Sequence, residues 1–289
     1  MALLDPPPVT KYNFIALGAG VQSSAMALMA AAGEISPVPN GAIFADTGDE
    51  PENVYNWLNE LSELIAGAKN PFPVYVVQSK KGILSKSMLE LRTKKNGESY
   101  TQTPIPLYTL DEKGNQGMIR NRQCTADFKV VPVVKKTKEL AGIKRGQKNI
   151  TVTTWMGISW DELQRMKDRC EPWQQLRWPL IERRISRIDC FKWMESNGYP
   201  TPPRSACVYC PYHSDVEWRR LKNEEPKEFA KAVNFEKELQ KTKSKTPGFK
   251  GKPYLHKSCQ PLSDIDFRND LDHGQQDFFI GECEGMCGV

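Results

Sequence analysis

Asn13-Phe14-Ile15-Ala16-Leu17-Gly18-Ala19-Gly20-Val21-Gln22-Ser23-Ser24 decides how this chain is read: a short apolar run, a Gly-Ala-Gly turn, then a small, hydroxylic helix start. The run over 13–18 has the length of a strand and is too short for a helix. Behind it the spacing predicts a helix from about Val21 to Ala32, stopped at Gly33. A strand that turns straight into a helix aims the helix's first amides at whatever lies beyond the strand, which suits an anion. Gly18, Ala19 and Gly20 let the backbone close tightly, and the hydroxyls of Ser23 and Ser24 can donate to phosphate oxygens. The loop lacks the lysine of a Walker A motif and the third glycine of the dinucleotide fingerprint.

Outward from there, GAIFADTG (41–48) reads as a second strand. Pro51 opens an amphipathic helix with Val54, Trp57, Leu58, Leu61, Leu64 and Ile65 on one face, and PVYVVQ (73–78) is a third strand. Strands alternating with helices imply right-handed crossovers and an α/β, doubly wound, mostly parallel sheet covered on both faces. Residues 93–123, polar and rich in turns, read as a mobile loop over the carboxyl ends of the strands, the edge that binds ligands in such folds. A helix is expected near 127–141, a strand at 150–159, a charge-rich helix after it, and another helix near 188–197. GYPTPPRS (198–205) is a proline-stiffened connector, 226–245 a basic amphipathic helix, and the last forty residues irregular. This divides the chain into a nucleotide-binding domain over 1–200 and a cysteine-bearing region over 201–289. There is no internal repeat.

The 289 residues are 39% hydrophobic and 26% charged, which excludes a disordered, collagenous or wholly coiled-coil protein. No run of eighteen apolar residues occurs, so no membrane association is expected, and MALLDPPPVTKYN lacks the regions of a secretory signal, so a cytoplasmic location is expected. In that reducing compartment the eight cysteines read as metal ligands or redox groups ahead of disulfides. Seven acids against one base in 264–289 leave +11 on residues 1–263 of a chain whose net charge is +5. That basic body suits an anionic partner, a nucleotide or a nucleic acid.

Two further patterns carry chemistry. At the end of the second strand, Asp46 stands beside the expected phosphate loop, where a carboxylate is costly unless it holds a divalent cation such as magnesium or a ribose hydroxyl. Asp49 and Glu50 precede a helix, where acids favour the helix N-terminus. Among the cysteines, Cys207 and Cys210 form a C-x-x-C, with Cys124 upstream across 82 intervening residues and His213 three beyond Cys210. Cys124, Cys207, Cys210 and His213 are a possible zinc set. Cys170 and Cys190 lie in expected helices and read as buried apolar thiols.

GAGVQSS followed by FADTGDEPENVYNW resembles the PP-loop superfamily of adenine nucleotide alpha hydrolases, in its phosphoadenosine phosphosulfate (PAPS) reductase-like branch. The resemblance continues through CTADFKVVP (124–132), MGISWDE to Arg165, WPLI (178–181), GYP (198–200) and CVYCP (207–211), covering roughly residues 12–220. It implies that Gly18, Ala19, Gly20, Gln22, Ser23 and Ser24 grip the phosphates of ATP or PAPS, with Asp46 and Thr47 flanking the nucleotide. It places Lys129 and Arg165 at phosphoryl or sulfonyl oxygens. Gln22 stands where the family's loop carries aspartate. The cysteine spacing resembles the family's iron-sulfur reductases, with Gln123 replacing one cysteine of an adjacent pair. It implies a 4Fe-4S cluster on Cys124, Cys207 and Cys210, with the fourth iron open or held by Cys259, Cys283 or Cys287, of which Cys287 is the expected ligand. Cys283, in a Glu-Cys pair, resembles the family's catalytic tail cysteine. The neighbouring acids disfavour its thiolate.

Three functions follow. One is reduction of PAPS or adenosine phosphosulfate, with Cys283 as nucleophile and a thioredoxin-like partner as reductant. A second is cleavage of ATP at its α phosphorus to adenylate a nucleic acid or other acceptor for sulfur insertion from a sulfur donor. The third is a non-catalytic module that binds zinc and nucleic acid.

Overall fold

The computed structural model describes residues 6–267 apart from 168, 169 and 248. Strands β1 (Tyr12–Leu17), β2 (Gly41–Asp46), β3 (Val74–Gln78), β8 (Val152–Met156) and β9 (Gln174–Arg177) form one parallel sheet in the order β3-β2-β1-β8-β9. Helices α1 (Val21–Ala32) and α2 (Glu52–Ala66) carry the first two crossovers. With α6 (Pro179–Glu182) and α7 (Arg187–Ser196) they cover one face, packing on Ile15, Leu17, Phe44 and Trp155. Helix α5 (Val131–Ala141) covers the other face, on Phe14, Ile43 and Val152. Alternate residues of one strand thus enter two cores, and this is why β1 and β2 read as unbroken apolar runs. The expected α/β parallel architecture is present, consistent with a Rossmann-like fold. The strand order reverses between β1 and β8, so the crevice beyond their carboxyl ends is where such sheets bind ligands. No helix among the described residues is long and apolar enough to cross a membrane.

Helix α1 is buried on nearly every side, clamped between the sheet, α2 and α7, which its alanines permit. Gly33, at φ 89°, closes it in the left-handed conformation anticipated for a helix stop.

Where a mobile loop was expected, the chain builds structure. After α3 (Leu84–Leu89) come two ribbons: β4 (Arg92–Thr93) with β5 (Ser99–Tyr100), and β6 (Leu107–Leu110) with β7 (Gln116–Ile119). Strand β10 (Lys252–Tyr254) joins the second. A one-turn α4 (Gln123–Thr125) and a π-helical turn, Ala126–Val130, lead into α5. The charge-rich helix expected after 159 is a short 3-10 helix, Trp160–Arg165, and β9 was not anticipated because its sequence, QQLR, carries no strand pattern. Helices α8 (Asp215–Glu224) and α9 (Pro226–Ser244) share a core with α3, Ile105, Leu107 and Phe128.

That ribbon segment is tied down by a lysine. On α9, Lys243 is 1% exposed and its ammonium donates to Thr101 Oγ1 (2.6 Å), Gln102 O (2.8 Å) and Thr103 Oγ1 (2.7 Å). Removing it takes the shared donor from three part-buried acceptors, of which Thr101 Oγ1 keeps a second partner in Thr246 Oγ1 at 3.2 Å, and a lost acceptor is worth about 1–3 kcal/mol. Burial pulls the Lys243 pKa down to about 8. Between there and the ordinary lysine value the unfolded chain binds more protons than the folded one, so stability contributed by this group rises with pH. Lys243→Met is expected to destabilise the protein by about 2 kcal/mol or more at neutral pH. In chemical denaturation, its deficit relative to the parent chain should widen as pH is raised through 8.

Candidate functional site

The Gly18-Ala19-Gly20 loop between β1 and α1 is built by close approach. Ala19, fully buried, takes φ 57°, a left-handed conformation that costs a non-glycine residue about 1 kcal/mol. The Gly18 amide donates to Ser23 Oγ, and Ser23 Oγ donates to Gly20 O, both at 3.2 Å. Gly157, just beyond β8, packs so tightly on the first turn of α1 that an added Cβ would lie 2.9 Å from Ser23 Cα. The strands flanking the topological reversal therefore meet at the loop.

Beyond them opens a cavity of about 800 Å³ whose floor is Gly18, Gly20, Gln22, Ser23 and Gly157. One wall is α2, through Asn53, Asn56 and Trp57; another is Phe191 with the proline-stiffened segment around Pro202 and Pro203. Four arginines, Arg165, Arg187, Arg204 and Arg220, line it against Glu60, Glu162 and Glu217. Arg204 is the telling one. Its side chain is 11% exposed, its three nitrogens are buried without a hydrogen bond, and the Glu217 carboxylate stands 3.6 Å away. Arg220 takes most of that carboxylate, at 2.8 Å. Burial pulls Arg187 below the ordinary arginine pKa; Glu162 opposes this, and the charge of Arg204 adds to it. A buried guanidinium without hydrogen bonds, beside a second one and a helix N-terminus with no acid in its first turn, is arranged for an anion.

Gln22 is 8% exposed. It donates to Glu162 Oε2 at 2.9 Å and accepts from Arg187 at 3.3 Å, while Glu162 also holds Arg165 at 2.6 Å. A carboxylate thus stands beside the position where the loop carries glutamine.

A second, small cavity of about 30 Å³ lies next door, and Cys124, Cys207 and Cys210 all line it, with Thr47, Arg122 and Lys129. Glu50, 4% exposed, stands between the two cavities: its carboxylate accepts from Ser205 Oγ (3.4 Å) on the large one, and lies 3.9 Å from Cys207 Sγ and 3.5 Å from Lys129 Nζ on the small one. Burial raises the Cys207 thiol well above its ordinary pKa, with Glu50 adding to the shift and Lys129 opposing it. Burial also raises Cys124, against the pull of Lys129.

The expected residues therefore divide. Gly18, Gly20, Gln22, Ser23 and Arg165 line the large cavity. Ala19 shapes its loop from beneath, and Ser24, fully buried, accepts from Trp57 Nε1 at 3.0 Å. Asp46 is absent from both linings; its Oδ1 accepts from the Gly48 amide (2.7 Å) and Tyr55 OH (2.8 Å), which orders the turn after β2. Thr47 and Lys129 belong to the thiol cavity, with Thr47 Oγ1 3.4 Å from Cys207 Sγ. His213 packs against Trp218, its Nε2 3.0 Å from Cys207 O, and is not in that lining. Among the described residues no three His, Cys, Asp or Glu side chains are placed to hold a single metal ion. Cys259 is buried elsewhere, against Thr109 O. Cys190 is buried as expected, its thiol pushed up to about 12 by burial, whereas Cys170, expected buried, is exposed. Cys283 and Cys287 lie outside the described residues.

Arg187, Arg204, Arg220 and Glu50 carried no assigned site role in the sequence reading. The proline pair before Arg204 was the available signal, since it fixes the arginine's approach.

No family model matches the chain, and no curated protein matches it.

Two substitutions test the cavity. Gly157→Ala pushes a methyl into the backbone of Ser23 and should cost about 1–3 kcal/mol in stability, read by chemical denaturation. Arg204→Met removes a buried charge lacking hydrogen bonds. The ligand-free protein should melt no lower than the parent in calorimetry, while affinity for ATP or PAPS falls about 10- to 100-fold by titration. Unchanged affinity would remove Arg204 from the site.

Proposed function

We propose that this protein is a PP-loop enzyme, similar to PAPS reductases, that binds an adenine nucleotide in the large cavity and handles sulfur at an iron-sulfur cluster in the small one. The observation that carries this reading is the adjacency of the two cavities, one lined by a buried guanidinium without hydrogen bonds, the other by three cysteines, with Glu50 shared between them.

In this reading the first amides of α1 and Ser23 Oγ hold phosphate oxygens, and Arg165, Arg187 and Arg204 take the remaining anionic charge. Trp57 and Phe191 offer apolar walls to the base, and Asn53 and Asn56 offer polar edges.

The donor set fits a cluster in its chemistry. Three thiols from two stretches of the chain face one space, lined otherwise by apolar side chains such as Leu84, Ile105 and Pro106 and by the cations Arg122 and Lys129, which offset thiolate charge. The space is that of about one water, so the three side chains must turn outward to receive a cluster. Bound by three protein thiolates, such a group offers one iron to a sulfur or oxygen ligand. Lys129, at this cavity, is then a counter-charge to the thiolates, and Arg165 keeps the role toward phosphoryl or sulfonyl oxygen. We infer a cytoplasmic enzyme served by a thioredoxin-like reductant or a sulfur donor.

A second reading, cleavage of ATP at its α phosphorus to adenylate an acceptor, is favoured by one observation. The large cavity shares Ala16, Met156, Ile158 and Arg165 with a third space of about 630 Å³ between α5 and the strands β8 and β9, which leaves room for an acceptor beside the nucleotide.

Anaerobic reconstitution with iron and sulfide tests the cluster. Cys124→Ser, Cys207→Ser and Cys210→Ser should each lose the iron and its visible absorption, while Cys190→Ser and Cys259→Ser keep both. Incubating the loaded protein with PAPS and reductant should release sulfite; release of pyrophosphate from ATP would select the second reading instead. Neither product, with one zinc per chain, would overturn the proposal.

A further inference from the structure

Asp46, the carboxylate expected to hold a divalent cation such as magnesium, is engaged in the turn after β2, where its Oδ1 accepts from the Gly48 amide and from Tyr55 OH. The acids that do line the large cavity beside the loop are engaged as well. Glu162 accepts from Gln22 through Oε2 at 2.9 Å and meets Arg165 through Oε1 at 2.6 Å. Glu217 accepts from Arg220 at 2.8 Å, with Arg204 3.6 Å away. Glu60, the remaining acid of that lining, is exposed on α2. Magnesium demands a near-octahedral set of oxygens and gives up its waters reluctantly, so carboxylates already held by guanidinium groups are poor ligands for it.

At the loop itself a cation is already in place. Gln22 is the second residue of α1; its Nε2 donates to Glu162, and its Oε1 accepts from Arg187 Nη1 at 3.3 Å. The two partners fix the direction of the amide, because a carboxylate only accepts and a guanidinium only donates. An aspartate at this position could accept from Arg187 but would repel Glu162. Glutamine bridges the two and brings no charge of its own. Arg187 is anchored by its backbone amide, which donates to Asp161 Oδ1 at 2.9 Å, and by the Phe191 ring, 5.7 Å from the guanidinium. Arg204, with three buried nitrogens that make no hydrogen bond, lines the same cavity. A divalent ion placed here would meet like charge from both arginines, whereas an anion would be held by both.

We propose that the guanidinium of Arg187, held by Gln22, takes the place of a divalent cation at this loop, so that the large cavity binds its nucleotide as the free anion and not as a magnesium complex. This rests on the reading of the large cavity as an adenine-nucleotide site, and it sets the form of the ligand. A phosphosulfate, whose charge the arginines can take directly, suits the site better than a triphosphate already wrapped around magnesium.

The test is a calorimetric titration of the full chain with ATP and with PAPS, at fixed ionic strength, in EDTA and again in excess magnesium chloride. Both nucleotides should bind in EDTA. Magnesium should weaken ATP binding about tenfold or more, in proportion to the fraction of nucleotide left uncomplexed, and leave PAPS binding unchanged. Arg187→Met should weaken both about 10- to 100-fold in EDTA. Gln22→Glu, nearly the same in volume, tests the same point should Arg187→Met fold poorly: it cancels the charge of Arg187 and should weaken binding in EDTA about tenfold. Because that variant also offers a divalent ion a pair of carboxylates with Glu162, it should narrow or reverse the loss that magnesium causes for ATP. If ATP binds the parent chain as well or better with magnesium than without it, or if both variants bind both nucleotides as the parent does, the exchange of metal for guanidinium fails while the nucleotide site stands. If neither nucleotide binds the parent under either condition, the reading beneath it fails.

Discussion

A methyl group at position 157 would stand 2.9 Å from the Cα of Ser23, and much else in the molecule follows from that lack of room. Glycine at the end of β8 lets this strand abut the first turn of α1, so the two strands on either side of the topological reversal share one floor. Had they been held apart by a side chain, the crevice would be shallower and the amides of α1 would face solvent. The left-handed turn at Ala19 belongs to the same constraint: the chain accepts about 1 kcal/mol of backbone strain to turn from β1 into α1 within three residues. Such strain persists where the surroundings over-determine it, and here β8, α2 and α7 all pack around the loop.

Charge then separates the crevice into compartments. The large cavity concentrates guanidinium groups whose carboxylate partners are shared among several of them, so positive charge is in excess around Arg187 and Arg204. Arg187 donates to Gln22, whereas Arg204, 3.6 Å from Glu217, keeps three buried nitrogens without a hydrogen bond. Near the thiols the balance reverses: burial and Glu50 keep Cys207 protonated, and Lys129 is the local counterweight. The large cavity therefore suits negative charge, and the small one keeps its buried thiols in the neutral form. Because Glu50 contacts both compartments through Ser205 and Cys207, a change of charge in one is felt in the other without any movement of the backbone.

The sequence made the parallel sheet readable because β1, β2 and β3 are apolar runs separated by helices of ordinary length, and because glycines mark the stops. It also showed the tight loop after β1 and the paired thiols, since both are local patterns: small residues over 18–20, and two cysteines three positions apart. What it could not show is anything set by distance along the chain. Arg187 and Arg204 look like surface arginines until α7 and the proline segment fold them over the loop. Asp46 looks like a metal or ribose ligand until Tyr55, one helical turn into α2, takes its carboxylate. Lys129 and Arg165 look like equivalent charges in the sequence, yet the lysine, on the π-helical turn before α5, lines the thiol cavity and the arginine lines the large one. The 93–123 segment read as free because its polar residues have no periodicity; its order comes from Lys243, more than a hundred positions away.

That lysine bears on the thiols as well. Cys207 and Cys210 are neighbours by sequence, but Cys124 reaches them only at the end of the ribbon segment. The Cys124 amide donates to Pro104 O at 2.8 Å, and Asn121 donates to Thr103 O at 2.7 Å. Thr103 in turn accepts from Lys243 at 2.7 Å. A continuous line of hydrogen bonds thus runs from the interior of α9 to the third cysteine. The C-terminal helices are therefore part of the site's construction and not an appendage to the α/β fold: α9 sets where the ribbon lies, and the ribbon sets where Cys124 lies. A thiol carried on a free loop would have to be ordered, at an entropic cost of about 1 kcal/mol or more for each residue fixed, when a ligand arrived. Here that ordering is done during folding by a lysine far from the chemistry, and the ligand meets three thiols already facing one space.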